Sequence, residues 1–177
     1  MKESRLALAA LFAFAATPAI AMDLQSTDVV QGMSFPIKQV CGRYGGGNVS
    51  PALSWSDVPA NANSLAITIF DPDAHNGWWH WQVLDLPPSV TALAQGAGRE
   101  HGALPEGAHQ HGNSNGDESY DGPCPPAGSG VHHYEITLWA LDVPTADVDV
   151  NAEPGDVGAY LAKHAIATAR LTPVYEK

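Results

Sequence analysis

The sequence predicts a mainly β protein built as an antiparallel, sandwich-like domain. Short apolar runs rich in β-branched residues alternate with turns, and the chain contains 17 glycines and 14 prolines, the residues that most often end strands. Only one segment shows sustained helical periodicity. Because strands and helices do not alternate along the chain, an alternating α/β fold is not expected.

Three apolar runs are predicted to be strands. The first, Ser64–Phe70, delivers Asp71 to a loop, and the second, His80–Leu86, is stopped by two prolines. The third runs from about His132 to Leu141. Side chains alternate between the two faces of a strand, so His132 shares a face with Tyr134 and both can reach one ligand.

The rest of the chain contains one predicted helix and long loops. Val157, Tyr160, Leu161 and His164 follow helical spacing after Asp156, which is a candidate N-cap. Residues 167–175 resemble a final strand, which Pro173 would confine to a sheet edge. The stretch from residue 94 to 126 has no sustained period and is interpreted as loops.

The N-terminus has the features of a secretory signal. Lys2 and Arg5 precede an apolar run, and Ala19 and Ala21 provide a small-residue cleavage pattern before Met22. We therefore expect a signal peptide at 1–21, one domain at 22–177, and a periplasmic or secreted protein without a transmembrane segment.

The charge of the mature chain argues against polyanionic partners. Loss of Lys2, Arg5 and Glu3 with the signal would change the formal net charge from −11 to −12. No basic run is present to neutralise phosphates, so nucleic acid and anionic membrane surfaces are disfavoured. A solvated acidic surface that keeps the protein soluble is sufficient to explain this charge.

The two cysteines, Cys41 and Cys124, are predicted to form a disulfide. An exported protein with an even number of cysteines more often pairs them than uses them as nucleophiles. Closing a loop of this length would stabilise the fold by roughly 4–5 kcal/mol in the chain-entropy model.

Polar residues at the ends of the predicted strands indicate one ligand pocket. Carboxylates, imidazoles and a phenol at strand ends are hard to explain as core packing, and a carboxylate that orients an imidazole can help it to hold an anion. The rigid proline-rich turn after Asp121 could add backbone donors. The candidate ligand-binding residues are Asp71, Asp73, His80, Gly122, Cys124, His132 and Tyr134.

Three other interpretations were weighed for these residues. Asp71 and Asp73 could simply accept backbone hydrogen bonds in a turn. A metal site is disfavoured because no established ligand spacing is present, and we expect no metal and no cofactor. A serine hydrolase is disfavoured because the motif at 128–130, Gly-Ser-Gly, is not a nucleophile elbow between a strand and a helix.

These motifs resemble the phosphatidylethanolamine-binding protein family, also called the Raf kinase inhibitor-like family. The resemblance rests on residues 48–55, 71–74, 77–81, 120–126 and 132–134, covers nearly all of the mature chain, and is greatest for the exported bacterial branch. It implies two antiparallel sheets in Greek-key connection, and a small cavity for phosphate-like anions or phospholipid head groups lined by the candidate residues. It also implies a binding or regulatory protein without established catalysis, and in the bacterial branch a homodimer.

Departures from the family pattern concern ligand preference. His75, Asp85 and Ser114 stand where relatives usually have other residues. Our first interpretation is a binding protein for a small phospho-compound that could also inhibit a protein partner. The alternative is a hydrolase in which Asp71 or Asp73 works with His80 and His132 on a phosphoester or related bond.

Overall fold

A computed structural model describes residues 21–177 of the chain. The predicted signal peptide, apart from Ala21, lies outside these residues. Within the described range, no helix is both long enough and apolar enough to cross a membrane.

The secondary structure of residues 21–177 comprises ten strands, one α-helix and a short 3₁₀ helix. The strands are β1 (Asp23–Gln25), β2 (Leu53–Ser56), β3 (Ser64–Asp71), β4 (Trp78–Leu86), β5 (Ala92–Leu93), β6 (His109–His111), β7 (His132–His133), β8 (Glu135–Leu141), β9 (Ala165–Leu171) and β10 (Val174–Tyr175). The 3₁₀ helix is Gly42–Tyr44 and the α-helix, α1, is Pro154–His164.

The strands pair antiparallel in three hydrogen-bonded groups. A five-stranded sheet has the order β6-β4-β3-β8-β9, a three-stranded sheet the order β1-β2-β5, and β10 pairs with β7. In the large sheet β3, β4 and β6 are neighbours in chain order and β8 returns to lie beside β3, which is a Greek-key connection. The mainly β fold predicted from the sequence is confirmed.

Strand β3 is buried on both faces of the large sheet, and this explains why its residues are mainly apolar. Leu65, Ile67 and Ile69 face the main core, which is shared with the three-stranded sheet, while Ala66 faces a second cluster that includes α1. Both sets of alternating side chains are therefore mainly apolar, a pattern typical of strands covered on both sides. The buried polar residues Ser64 and Thr68 each make a side-chain hydrogen bond.

Three predicted boundaries were wrong. The strand predicted from His132 to Leu141 is divided at Tyr134, whose N–H donates to the carbonyl of Pro173, and β7 joins a different sheet from β8. The final strand is likewise divided into β9 and β10 around Pro173, although β9 does lie at a sheet edge as predicted. The helix starts earlier than expected, with Glu153 at the N-cap and Pro154 as its first residue, so Asp156 lies in the first turn.

Helix α1 packs against the large sheet through a close contact at Gly158. A β-carbon at Gly158 would lie 2.4 Å from the ring of Trp79, whereas one at Gly155 on the same helix would lie 4.0 Å from the nearest atom of that ring. We expect Gly158→Ala to lower the free energy of unfolding by about 1–3 kcal/mol through overpacking. Gly155→Ala should be neutral or stabilising by up to about 1 kcal/mol, since alanine is the better helix former.

Urea unfolding of the two variants beside the wild type tests this contact. Equal effects of the two substitutions would contradict a specific contact between α1 and Trp79.

Candidate functional site

One open cleft of about 910 Å³ brings together most of the candidate residues. The end of β3, the start of β4, the loop before Cys124 and the turn leading into β7 form its walls. The predicted residues that line it are Asp71, Asp73, His80, Cys124, His132 and Tyr134. The structure brings these six residues into one lining, and their role in ligand binding is a prediction.

Asp71 and His132 form a buried hydrogen-bonded pair in this cleft. His132 Nδ1 lies 2.7 Å from Asp71 Oδ2, and the two side chains are only 5% and 4% exposed. The other carboxylate oxygen, Oδ1, accepts the backbone N–H groups of Asp73 and Ala74 at 2.9 and 3.1 Å. Asp71 thus both closes the turn after β3 and orients an imidazole.

Asp73 pairs with a different histidine, outside the buried part of the site. Its Oδ2 accepts from both the backbone N–H and Nδ1 of His133, each at 2.8 Å. These hydrogen bonds from His133 hold the pKa of the Asp73 carboxyl below its ordinary value. The two aspartates therefore accept hydrogen bonds from two adjacent histidines of β7, Asp71 from His132 and Asp73 from His133.

His80 is held by a backbone carbonyl and not by an aspartate side chain. Its Nδ1–H donates to the carbonyl oxygen of Asp121 at 2.7 Å, and within residues 21–177 its buried Nε2 has no hydrogen-bond partner. Burial lowers the pKa of His80 to about 4, so the ring is neutral at pH 7. The sequence analysis expected carboxylates to orient the site imidazoles, and this does not hold for His80, whose ring has a backbone carbonyl as its partner.

The neutrality of buried His80 predicts acid sensitivity. Its folded-state pKa of about 4 lies below the ordinary value of 6.5, so between these values the unfolded chain binds the extra proton. The stability contribution is complete above pH 6.5 and is lost as the pH falls toward 4, with a total of about 3 kcal/mol.

Urea unfolding at several values of pH between 7 and 4 would measure this loss. His80→Asn retains a donor near the position of Nδ1 and cannot titrate, so its stability should vary less with pH than that of the wild type. Identical pH profiles for the two proteins would contradict the assignment.

Tyr134 presents a second buried polar atom without a partner. Its hydroxyl makes no hydrogen bond within the described chain, and its ring packs edge-on against His80 at 5.1 Å and Phe35 at 5.3 Å. Burial, with a smaller contribution from nearby Asp71, raises the pKa of this phenol far above its ordinary value. The group is therefore a protonated donor at the wall of the cleft.

Gly122 does not line the cleft, and its amide is not free for a ligand. The Gly122 N–H donates to Asn48 Oδ1 at 2.7 Å. A β-carbon at this position would lie 2.3 Å from the carbonyl oxygen of Gln39. The predicted role of Gly122 as a backbone anion donor is therefore not supported, because this glycine allows two backbone segments to pack closely.

The predicted Cys41–Cys124 disulfide is confirmed, and both cysteines line the cleft. The bond joins segments 83 residues apart. It fixes the 3₁₀ helix beside the proline-rich wall formed by Pro125 and Pro126, and so brings Arg43 to the mouth of the cleft.

Several lining residues were missed by the sequence reasoning. Asp121, whose pKa is raised by burial and by nearby Asp117, accepts from Asn115 Nδ2 at 2.6 Å. Ser129 precedes His132 by three residues in the turn and lies 2.9 Å from its ring. Two weak signals were present in the sequence, since Arg43 lies two residues after Cys41 of the predicted disulfide and Ser129 lies three residues before His132 of the predicted site. The other missed lining residues include Trp78, Ala74, Pro125 and Pro126.

Two of the three departures from the family pattern lie away from the cleft. Asp85 accepts the N–H of Ala146 at 2.7 Å, and the hydroxyl of Ser114 accepts the N–H of Trp79 at 2.9 Å, so both hold loops in place. His75 lines the cleft. Across residues 21–177, no group of three or more histidine, cysteine, aspartate or glutamate side chains is arranged to hold a metal ion.

Comparison with known proteins gives consistent matches over most of the chain. The model of the phosphatidylethanolamine-binding protein family matches residues 25–176. The UPF0098 protein YbcL of Escherichia coli is 43% identical to this chain over 163 residues, which cover 89% of each chain. The crystal structure of YbcL superposes on this chain with a TM-score of 0.85, covering 89% of this chain and 99% of the YbcL chain. That crystal structure is described as a member of the mammalian PEBP family.

Two further relatives come from other bacteria. The structure of CT736 from Chlamydia trachomatis, a candidate phosphatidylethanolamine-binding protein homologue, is 36% identical with a TM-score of 0.73 and covers 89% of this chain and 98% of that one. A candidate lipoprotein of Mycobacterium tuberculosis, LppC, is 38% identical over 92% of this chain and 77% of its own. With its antiparallel fold and the family match across residues 25–176, the chain belongs to the phosphatidylethanolamine-binding protein family.

Proposed function

We propose that this protein is an exported binding protein whose cleft holds a small phosphate-like anion or phospholipid head group. Membership of the family supports a binding or regulatory role in general terms. The observation that carries the specific proposal is the buried Asp71–His132 pair in the same cleft as two buried polar atoms, His80 Nε2 and the Tyr134 hydroxyl, that have no hydrogen-bond partner among residues 21–177. Native structures rarely leave buried polar groups unsatisfied unless a ligand or water completes them.

The charges around the cleft favour a ligand that carries both signs. Arg43 can interact with a phosphate, and the Tyr134 hydroxyl can donate to it. Asp73 and Asp121 lie in the same lining and suit an ammonium group. A zwitterionic head group therefore fits the lining better than a free dianion, since the carboxylates would repel excess negative charge.

Export is supported by two independent features. The predicted signal at 1–21 would leave residues 22–177 as the mature domain, and the Cys41–Cys124 disulfide is typical of an oxidising compartment. The name of LppC, a candidate lipoprotein, is consistent with an extracytoplasmic relative. A periplasmic or secreted location is part of the proposal, as are control of a protein partner and formation of a homodimer.

A titration with inorganic phosphate and with phosphoethanolamine, followed through the histidine ring signals by NMR, tests the proposal. We expect saturable shifts of His80, His132 and His75, with tighter binding of phosphoethanolamine. Arg43→Gln should weaken binding roughly tenfold or more by removing a charge-assisted hydrogen bond.

Arg170→Gln is the matched control, because Arg170 pairs with Glu135 on the large sheet and does not line the cleft. Absence of any shift at millimolar ligand would rule out the anion pocket and leave a protein partner as the object of study. Equal weakening by both arginine substitutions would show that the effect comes from overall charge.

A further inference from the structure

A continuous chain of hydrogen bonds links a serine, a histidine and an aspartate at the cleft. Ser129 Oγ lies 2.9 Å from His132 Nε2, and His132 Nδ1 lies 2.7 Å from Asp71 Oδ2. This connectivity is that of a nucleophile, its base and the carboxylate that orients the base. Such triads are recognised by geometry and role, and the chain order Asp–Ser–His does not exclude one.

The carboxylate of this chain is rigidly placed. Asp71 Oδ1 accepts the backbone N–H groups of Asp73 and Ala74, which leaves Oδ2 to accept from His132. Because Nδ1–H is used by Asp71, the lone pair of a neutral His132 is on Nε2 and faces the serine hydroxyl. His132 is therefore held in the tautomer that a general base requires.

Ser129 is accessible, in contrast to its two buried partners. It is exposed in the turn before β7 and lines the cleft. Gly128 and Gly130 on either side have φ values of +81° and +89°, which side-chain-bearing residues rarely adopt, so the turn depends on both glycines. The hydroxyl donates to the carbonyl oxygen of Pro126 at 2.8 Å, and this acceptor competes with His132 Nε2 for its single proton. The hydroxyl must therefore rotate its proton toward the imidazole before Ser129 can act as a nucleophile.

The same cleft contains a donor for a developing negative charge. The Tyr134 hydroxyl is buried, lines the cleft and has no partner within residues 21–177. A phenol that stays protonated can donate to an oxyanion in the manner of an oxyanion hole. Arg43 lies at the mouth of the same cleft.

We propose that the cleft hydrolyses carboxylic esters, with Ser129 as the nucleophile, His132 as general base and acid, and Asp71 as a positioning residue. Ser129 Oγ attacks the ester carbonyl carbon and its proton passes to His132 Nε2. The bond to the alcohol oxygen then breaks, the alcohol leaves with that proton, and an acyl-serine forms. Water attacks the acyl-serine, gives one proton to His132, and releases the carboxylic acid as this proton returns to Ser129.

The lining favours an ester with an apolar part over a phosphoester dianion. Trp78, Pro125 and Pro126 provide an apolar wall. Arg43 is the one lysine or arginine in the lining formed by the described residues, and it lies with Asp73 and Asp121. The tetrahedral intermediates that precede and follow the acyl-serine carry a single negative charge, which this set of residues can accommodate, whereas phosphoryl transfer commonly relies on several cations.

Ester hydrolysis by Ser129 is a different activity from anion binding, and it is measured by covalent labelling and substrate turnover. A fluorophosphonate probe phosphonylates an activated serine, as Oγ bonds to phosphorus and fluoride leaves. We expect one adduct on the purified protein, located at Ser129 by peptide mass spectrometry, and hydrolysis of p-nitrophenyl acetate and butyrate. Ser129→Ala should remove the adduct and lower the ester turnover roughly a hundredfold or more.

Controls separate nucleophilic chemistry from folding and from anion binding. Ser129 is exposed, so its substitution should leave the unfolding curve unchanged, and Ser89→Ala, another exposed serine outside the cleft, should label and turn over as the wild type does. Absence of labelling in the wild type, labelling at another residue, or ester hydrolysis that survives Ser129→Ala would each overturn the proposal. If the wild type does not bind phosphate but is labelled at Ser129 and hydrolyses esters, the proposed binding function fails and the proposed ester hydrolysis stands.

Discussion

Removal of the Cys41–Cys124 disulfide is expected to lower the free energy of unfolding by about 4–5 kcal/mol. The bond closes a loop of 83 residues, and releasing so long a loop restores much of the conformational entropy of the unfolded chain. For a domain of this size the loss corresponds to a decrease in Tm of roughly 10–15 °C.

Thermal unfolding of a Cys41→Ser/Cys124→Ser double variant would measure the loss, with the wild type treated with a thiol reductant as the matched comparison. The two proteins should agree, since both lack the bond and differ little otherwise. A decrease of only one or two degrees would show that other contacts already restrain this loop in the unfolded chain.

Asp71→Ala is expected to destabilise the protein by about 3–5 kcal/mol, whereas Asp73→Ala should cost about 1 kcal/mol or less. The two aspartates make similar contacts, each with one histidine and with backbone N–H groups. They differ in burial, because the Asp71 side chain is 4% exposed and that of Asp73 is 41% exposed. Loss of Asp71 leaves the buried Nδ1–H of His132 without an acceptor.

Urea unfolding of both variants gives the comparison directly. Asp71→Asn retains an acceptor for the turn amides but lacks the charge, so its stability should fall between those of Asp71→Ala and the wild type. Equal losses for Asp71→Ala and Asp73→Ala would contradict the view that burial, and not the number of contacts, sets the cost.

The sequence was informative about the fold wherever burial controlled residue choice. The run at Ser64–Asp71 is apolar on both faces because the core and α1 cover it on opposite sides, so its pattern identified a strand. The interruption at Tyr134 could not be predicted, since it depends on a hydrogen bond to Pro173 from a distant part of the chain. Local patterns do not specify which sheet each end of a strand will join.

The sequence was likewise informative about only part of the candidate site. Residue types at strand ends indicated that Asp71, His80 and His132 would meet, but not which group each would contact. His80 bonds to a backbone carbonyl, which any residue type supplies and no sequence pattern reveals. Ser129 was rejected as a nucleophile on its local motif, yet its contact with His132 arises from a turn that the motif does not describe.

The contacts that strand β3 makes with distant parts of the chain have a kinetic consequence. Asp71 and His132 are 61 residues apart, and Ser64 at the other end of β3 bonds to Val143, 79 residues away. Strands so far apart in the chain must close a large loop before their contacts form, and this costs conformational entropy. We therefore expect folding in the slower, millisecond-to-second range of small domains. The cleft is assembled across this pairing, so a partly folded chain in transit would lack it, and occupancy of the cleft would report that folding is complete.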